Sequence, residues 1–192
     1  MTRLRPGIPA PGFSGVEIGG QTLRLDDFEG RPLLLSFFRE AGCPFCNIRV
    51  YELTQHYGRF REQGLAILAV FSSPPDEIRH YVAQRPRPFV MLTDPEQELY
   101  RLYGVEHSAP KMWWGVVRHF GRMIRGLGVA PVRASRDATL VPADFLIDET
   151  GVIRDVHYGR DIGDHIPIER IQTFLDPRVL PLKGRYAQSS GL

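Results

Sequence analysis

Cysteine is scarce in this chain, with two in 192 residues, and long hydrophobic runs are missing altogether. The longest apolar stretches, residues 33–38 (interrupted by Ser36) and 65–71, fall well short of the roughly 20 residues that a membrane-spanning helix needs. The opening residues, MTRLRPGIPAPG, lack the apolar segment of a secretory signal, so a cytoplasmic protein is expected and export is not. A large excess of one charge is also absent. The net charge is +2, which argues against a surface built for nucleic acid. The basic residues that do cluster lie between residues 107 and 138. There Lys111, Arg118, Arg122, Arg125, Arg133 and Arg136 face one acid, Asp137.

The composition, 43% hydrophobic and 24% charged, is that of one soluble globular domain. A chain of this size buries roughly 70% of its unfolded surface and needs no disulfide or metal to hold it together. Both cysteines nevertheless stand together, in AGCPFCNIRV (41–50). Close spacing in a cytosolic chain points to redox chemistry or metal binding before architecture. A lone CxxC supplies only two of the four ligands of structural zinc, so His56, His107, His157 or His165 would have to complete such a site.

The run RPLLLSFF reads as a buried strand. Beyond the cysteines, Cys43, Cys46, Val50, Leu53, Tyr57 and Phe60 recur at spacings of 3 and 4, one continuous stripe on a helix that Gly64 closes. LAILAVF is a second buried strand, SSPPDEIRHYVAQ a helix with a serine and proline start, FVMLTD a strand and PEQELYRLYGV a third helix. ADFLID and VIRDVHYG flank a turn with Gly151 in its last place and form a hairpin, and IPIERIQTFL is a last helix. Strand–helix alternation in the first half implies parallel strands, and the hairpin adds antiparallel ones. The fold class is therefore α/β, a mixed central sheet with helices on both faces. One domain is expected over residues 1–178, with a basic amphipathic helical insertion at 107–138 and a tail at 179–192.

Several segments, in order, resemble the thioredoxin fold, and within it the redoxin superfamily of peroxiredoxins and alkyl hydroperoxide reductases. PAPGF followed by LRLDDFEGRPLLLSFF is similar to the redoxin entry into the first core strand. CPFC stands at the strand-to-helix junction where that family keeps its reactive thiol. LTDPEQELYRLYGV and LVPADFLIDETGVI are similar to later redoxin segments. The resemblance implies a cis Pro142 beside the cysteine pair, which would leave the Val141 backbone free to pair with an extended substrate.

A thiol must ionise to attack, and a helix N-terminus favours the negative form. Cys43 stands where the helix begins, with Pro44 in its first turn, and Cys46 one turn inward is close enough to form a disulfide. Arg39, four residues before Cys43, is placed either to steady a thiolate or to face water, and Glu40 is expected at the surface. The peroxiredoxin pattern Pro-x-x-x-Thr-x-x-Cys, laid on this segment, puts Arg39 at the proline, Cys43 at the threonine and Cys46 at the attacking cysteine. Both helper residues are then missing, as is the arginine that those enzymes place near Pro142. Thioredoxins keep a buried carboxylate on this strand, where Ser36 stands instead.

These departures favour thiol–disulfide exchange, with Cys43 exposed and attacking and Cys46 buried and resolving. The alternative is peroxide reduction with Cys46 or Cys43 as the peroxidatic thiol. A third reading, of another class, is a redox-sensing binding module that works through the basic helix. No bound cofactor or metal is required. The implied partners are an external thiol donor of thioredoxin or glutathione type and a disulfide or hydroperoxide substrate, with a homodimer suggested by the family alone. GRDIGDHIP, with Asp161, Asp164 and His165, reads as a turn and helix cap more readily than as an acid–base cluster.

Overall fold

The computed structural model describes residues 2–83, 87–108, 139–176 and 178. The basic insertion, apart from its first two residues, and the C-terminal tail lie outside the described residues.

Among the described residues the apolar runs build one seven-stranded sheet. Its strands are β1 (Ser14–Glu17), β2 (Thr22–Arg24), β3 (Leu33–Phe37), β4 (Ala66–Phe71), β5 (Val90–Thr93), β6 (Ala143–Ile147) and β7 (Ile153–Tyr158). The spatial order is β2-β1-β5-β4-β3-β6-β7. β3 and β4 are parallel, as are β4 and β5, while β6 runs antiparallel to both β3 and β7. This is the mixed sheet that the alternation of elements predicts. The helices are α1 (Pro44–Glu62), α2 (Pro75–Tyr81), α3 (Glu98–Leu102) and α4 (Ile168–Leu175), with a 3-10 turn at Leu25–Phe28. The pairing of β1 with β2 is an addition, since LRLDDFEG alone reads as a turn or short helix.

Two differences have local causes. The second helix has Pro74 as its N-cap and takes no cap from either serine. The third helix is short because Asp94 captures its start. Its carboxylate accepts the N–H groups of Glu98 at 3.0 Å and Leu99 at 2.8 Å. The β6–β7 turn closes as expected, with Gly151 at φ +78° donating to the Asp148 carbonyl at 3.0 Å.

Because side chains alternate across a strand, the sheet sorts its residues onto two faces. Leu34, Phe38, Ile67, Ala69, Phe71 and Leu146 pack with α1, α2 and α4, where Cys43, Cys46, Val50, Leu53 and Phe60 of the helical stripe are buried. Leu33, Leu35, Phe37, Leu68, Val70 and Phe145 face the other way, onto Leu99 and Tyr100 of α3. Helices therefore cover both faces, as the fold class requires. Tyr100 also ties α3 to the end of β3, its hydroxyl donating to the carbonyls of Phe38 at 2.6 Å and Val70 at 2.9 Å.

Candidate active site

The chain leaves β3 at Phe37 and enters α1 at Pro44, and this short connection carries the chemistry. Proline suits the first helical position because its missing N–H would have no partner there. Cys43 is the N-cap residue, in extended conformation, so its sulfur stands at the positive end of a 19-residue helix. Both cysteines are free thiols, and both are buried, Cys43 at 3% and Cys46 at 1% exposure. The expected exposure of Cys43 is thus corrected. The loop folds back over the helix start, with the Cys43 N–H donating to the Glu40 carbonyl at 3.1 Å. Asn47 reinforces it by donating to the carbonyls of Ala41 at 3.1 Å and Cys43 at 3.2 Å. The same fold buries Glu40, which the sequence places at the surface.

Arg39 is 4% exposed and turned inward, so it is not a charge facing water. Its Nη1 lies 3.5 Å from the Cys43 sulfur, and its backbone N–H donates to the Cys46 sulfur at 3.4 Å. The two thiols are therefore unlike. A hydrogen bond from the Cys46 thiol lowers the Cys43 pKa to about 6, burial works against this, and the Arg39 charge and the amides of Cys46 and Phe45 assist. Burial pushes the Cys46 thiol well up, and a neighbouring Cys43 thiolate pushes it further.

The Val141–Pro142 bond is trans, since no peptide bond among the described residues is cis. This corrects the expectation of a cis Pro142. Leu140 is bridged to His107 and Val141 is bonded to Glu106, so backbone pairing holds the approach to β6 with the bond in the trans isomer that X–Pro ordinarily favours. The Val141 N–H donates to the Glu106 carbonyl at 3.1 Å, so this donor is used within the chain and does not await a substrate. The Pro142 carbonyl accepts the Gly159 N–H at 2.9 Å. A Cβ at Gly159 would stand 2.7 Å from the Asp164 carbonyl oxygen and 3.0 Å from that of Pro142, which explains why glycine occupies the position.

A buried carboxylate is present after all, on the strand beside the expected one. Asp144 of β6 pairs in register with Ser36 of β3 and accepts its hydroxyl. It also accepts the Ile166 N–H at 2.8 Å and lies 3.1 Å from His165 Nδ1. GRDIGDHIP is indeed a turn. Asp161 accepts the Gly163 N–H at 2.9 Å, and Asp164 accepts the Arg160 N–H at 2.8 Å and meets His157 at 3.1 Å. His165 differs, because it points inward to Asp144. The only signal available in the sequence was an aspartate in an otherwise apolar strand, two residues after Pro142. Among the described residues no three His, Cys, Asp or Glu side chains are grouped to hold a metal, and no helix is long and apolar enough to cross a membrane.

Residues 6–156 match the model of the AhpC/TSA family, more than half of the chain. Peroxiredoxin Bcp of Escherichia coli is 25% identical over 156 residues, covering 81% of this chain and 86% of its own. Among solved structures, peroxidoxin BcpB of Mycobacterium tuberculosis superposes with a TM-score of 0.64 at 15% identity, over 90% of this chain and 95% of its own. The thioredoxin domain of a thiol-disulfide oxidoreductase from Bacteroides vulgatus gives 0.55 at 17% identity, over 90% and 99%. The fold is thioredoxin-like, and the protein is a thiol-dependent peroxidase or oxidoreductase. On the match over residues 6–156, the chain belongs to the AhpC/TSA family.

Proposed function

We propose that this protein reduces hydroperoxides, with Cys43 as the attacking thiol and Cys46 as its resolving partner. The observation that carries the reading is the asymmetry of the pair. Cys43 lies under the Arg39 guanidinium at a helix N-terminus with its pKa lowered, whereas Cys46 is raised. Near neutral pH Cys43 is the thiolate, which is the nucleophilic form. This reverses the cysteine roles given by laying the peroxiredoxin pattern on the sequence. The family and the peroxiredoxin relatives favour peroxide over the disulfide substrate that the motif alone suggests.

In the first step the Cys43 thiolate attacks the peroxide oxygen, the O–O bond breaks, Cys43 becomes a sulfenic acid and an alcohol or water leaves. Cys46 then attacks the Cys43 sulfur, expelling water and forming the disulfide. Two equivalents of an external thiol, of thioredoxin or glutathione type, return the pair to its reduced state. Arg39 supplies the positive charge that peroxiredoxins place near the position of Pro142.

The test is peroxide treatment of the reduced protein with a sulfenic-acid trap, read by mass spectrometry. The Cys46→Ser variant is expected to hold a trapped sulfenic acid on Cys43, and the Cys43→Ser variant to react slowly or not at all. Rapid trapping on Cys46 in Cys43→Ser would overturn the assignment. The second reading, disulfide exchange, rests on the CPFC spacing and the same low-pKa thiol. It would be favoured by a sluggish peroxide reaction together with a mixed disulfide on Cys43 in Cys46→Ser.

A further inference from the structure

The Cys46 sulfur takes its backbone hydrogen bond from the peptide unit that joins Phe38 to Arg39. The N–H of that unit donates to the sulfur at 3.4 Å. Its carbonyl accepts the hydroxyl of Tyr100, on α3, at 2.6 Å. The two contacts lie at opposite ends of one planar amide, so phenol, peptide and sulfur form a single hydrogen-bonded chain. A donor at the carbonyl end draws charge from the amide nitrogen and strengthens the N–H as a donor, a cooperativity that counts most where water is excluded. Tyr100, Phe38, Arg39 and Cys46 are all buried.

The fold places this hydroxyl independently of the redox pair. The Tyr100 ring packs edge-on against Phe37, 5.0 Å away, in the layer that does not hold the thiols. At the end of the β3–β4 ladder the Phe38 N–H donates to the Val70 carbonyl at 2.9 Å, and the phenol reaches that carbonyl too, also at 2.9 Å. Its one proton is shared between two acceptors, with the Phe38 carbonyl the nearer. Burial pushes the Tyr100 phenol well above its ordinary pKa, and Asp94 and Cys46 add to this, so the group keeps its proton and remains a donor.

Cys46 must become a thiolate to close the disulfide, and burial and the Cys43 thiolate both oppose this. Once Cys43 carries an adduct its charge is gone, and the Arg39 charge and the Arg39 amide are left to favour ionisation against burial. We propose that Tyr100 is a positioning residue for disulfide closure: its hydroxyl fixes and polarises the Phe38–Arg39 peptide, so that the N–H at the other end stabilises the Cys46 thiolate. The inference rests on the reading that Cys43 attacks and Cys46 resolves. In that step the Cys46 S–H bond breaks, its proton passes to water, and the thiolate forms the S–S bond with Cys43. The group on the Cys43 sulfur leaves with the bonding electrons. Tyr100 itself neither gives nor takes a proton. The charged and titratable groups that face Cys46 are Cys43 and Arg39 from the β3–α1 connection and Tyr100 from α3, and Asp94 acts on Tyr100 in turn.

The experiment separates the two steps with methyl methanethiosulfonate, a reagent small enough for a buried thiol. Cys43 thiolate displaces methanesulfinate to give a methyl disulfide, and Cys46 then displaces methanethiolate to close the protein disulfide. Both species are followed by quenched-flow mass spectrometry across pH, in the whole protein and in Tyr100→Phe, which removes the hydroxyl and keeps the ring. The first step should stay within about twofold near pH 7, because a thiol with a pKa of about 6 is mostly thiolate there. The second should slow about threefold near pH 7, the effect of raising the Cys46 pKa by about half a unit. The gap should close at high pH, where Cys46 is ionised in both proteins. Meta-fluorotyrosine in place of Tyr100, a more acidic phenol and a stronger donor, should shift the same profile the other way, and it carries the test if Tyr100→Phe does not fold. A second-step pH profile that is unchanged by both replacements would overturn the proposal. So would equal slowing of both steps at every pH, which a purely structural role produces. A first methyl adduct on Cys46 would overturn it as well, by reversing the roles on which it rests. A protein that behaves as expected here yet forms no sulfenic acid with peroxide would sink the peroxidase reading and leave the role of Tyr100 standing.

Discussion

Asp144 and Phe145 are neighbours on one strand, and they open onto two different proteins. Asp144 faces α1 and enters a set of polar contacts with Ser36, His165 and the start of α4, in the layer that also holds the thiols. Phe145 faces α3 and enters a cluster of rings, 5.8 Å from Phe37, 5.0 Å from Tyr103 and 5.5 Å from Tyr158, all near edge-on. Edge-to-face contact of this kind adds to the area buried. One face of the sheet therefore carries groups that are costly to bury and chemically useful. The other carries rings and apolar side chains, with the hydroxyls of Tyr100, Tyr103 and Tyr158 donated to backbone carbonyls.

The division predicts that damage to the aromatic face lowers stability and spares the chemistry. Phe145→Ala removes a fully buried ring from the centre of that cluster and is expected to cost about 3–5 kcal/mol. Urea denaturation should register the loss, while the alkylation rate of Cys43 per folded molecule stays at the wild-type value. A comparable fall in the intrinsic rate would show that the two faces are not separable.

The apolar packing of both faces is also the part that could be read from the sequence. Runs such as LLLSF and AILAVF mark buried strands without help from the rest of the chain, and the stripe from Cys43 to Phe60 follows one helical period. The helix N-terminus, Pro44 and the cysteine pair are local signals and lie where they were expected. What was hidden depends on contact between distant residues. Ser36 and Asp144 are 108 positions apart, and His165 joins them only after the chain has turned back from β7. The burial of Arg39 and Glu40 depends on a loop folding over a helix start, which no periodicity announces. The cis Pro142 was an import from related folds. It failed at a bond whose approach is held by the backbone pairing of Leu140 and Val141 and which keeps the ordinary trans isomer.

On the polar face, the comparison can be sharpened by acid. The Asp144 pKa is held at about 2 in the folded protein, below the ordinary carboxylate value of about 4. A depressed pKa contributes stability that is full above the unfolded value and is lost as pH falls through the folded one. The window is therefore about pH 4 down to about pH 2, and the contribution is of order 2 kcal/mol at 1.36 kcal/mol per unit. Asp148 and Asp164 are also lowered, and their contributions cancel when wild type is compared with Asp144→Asn. The stability difference between these two proteins should shrink by about that amount across the window. A difference that does not change with pH would mean that Asp144 is already protonated when folded.

The smallest effect expected is at Arg39, where charge rather than packing is at stake. Its guanidinium is one of several causes of the low Cys43 pKa, behind the hydrogen bond from Cys46, so removing it should raise that pKa only part of the way to its ordinary value. Arg39→Met is expected to raise the Cys43 pKa from about 6 by about one unit, equivalent to about 1.4 kcal/mol, and so to slow its alkylation about twofold near pH 7 and about tenfold near pH 5. Lysine at the same position should recover part of the rate, because it restores the charge but not the planar fork. At high pH, where Cys43 is a thiolate in either protein, the two rate curves should meet. Curves that stay parallel at every pH would mean that Arg39 governs access to the sulfur and not its ionisation. The polar face would then work by shape, as the aromatic face does.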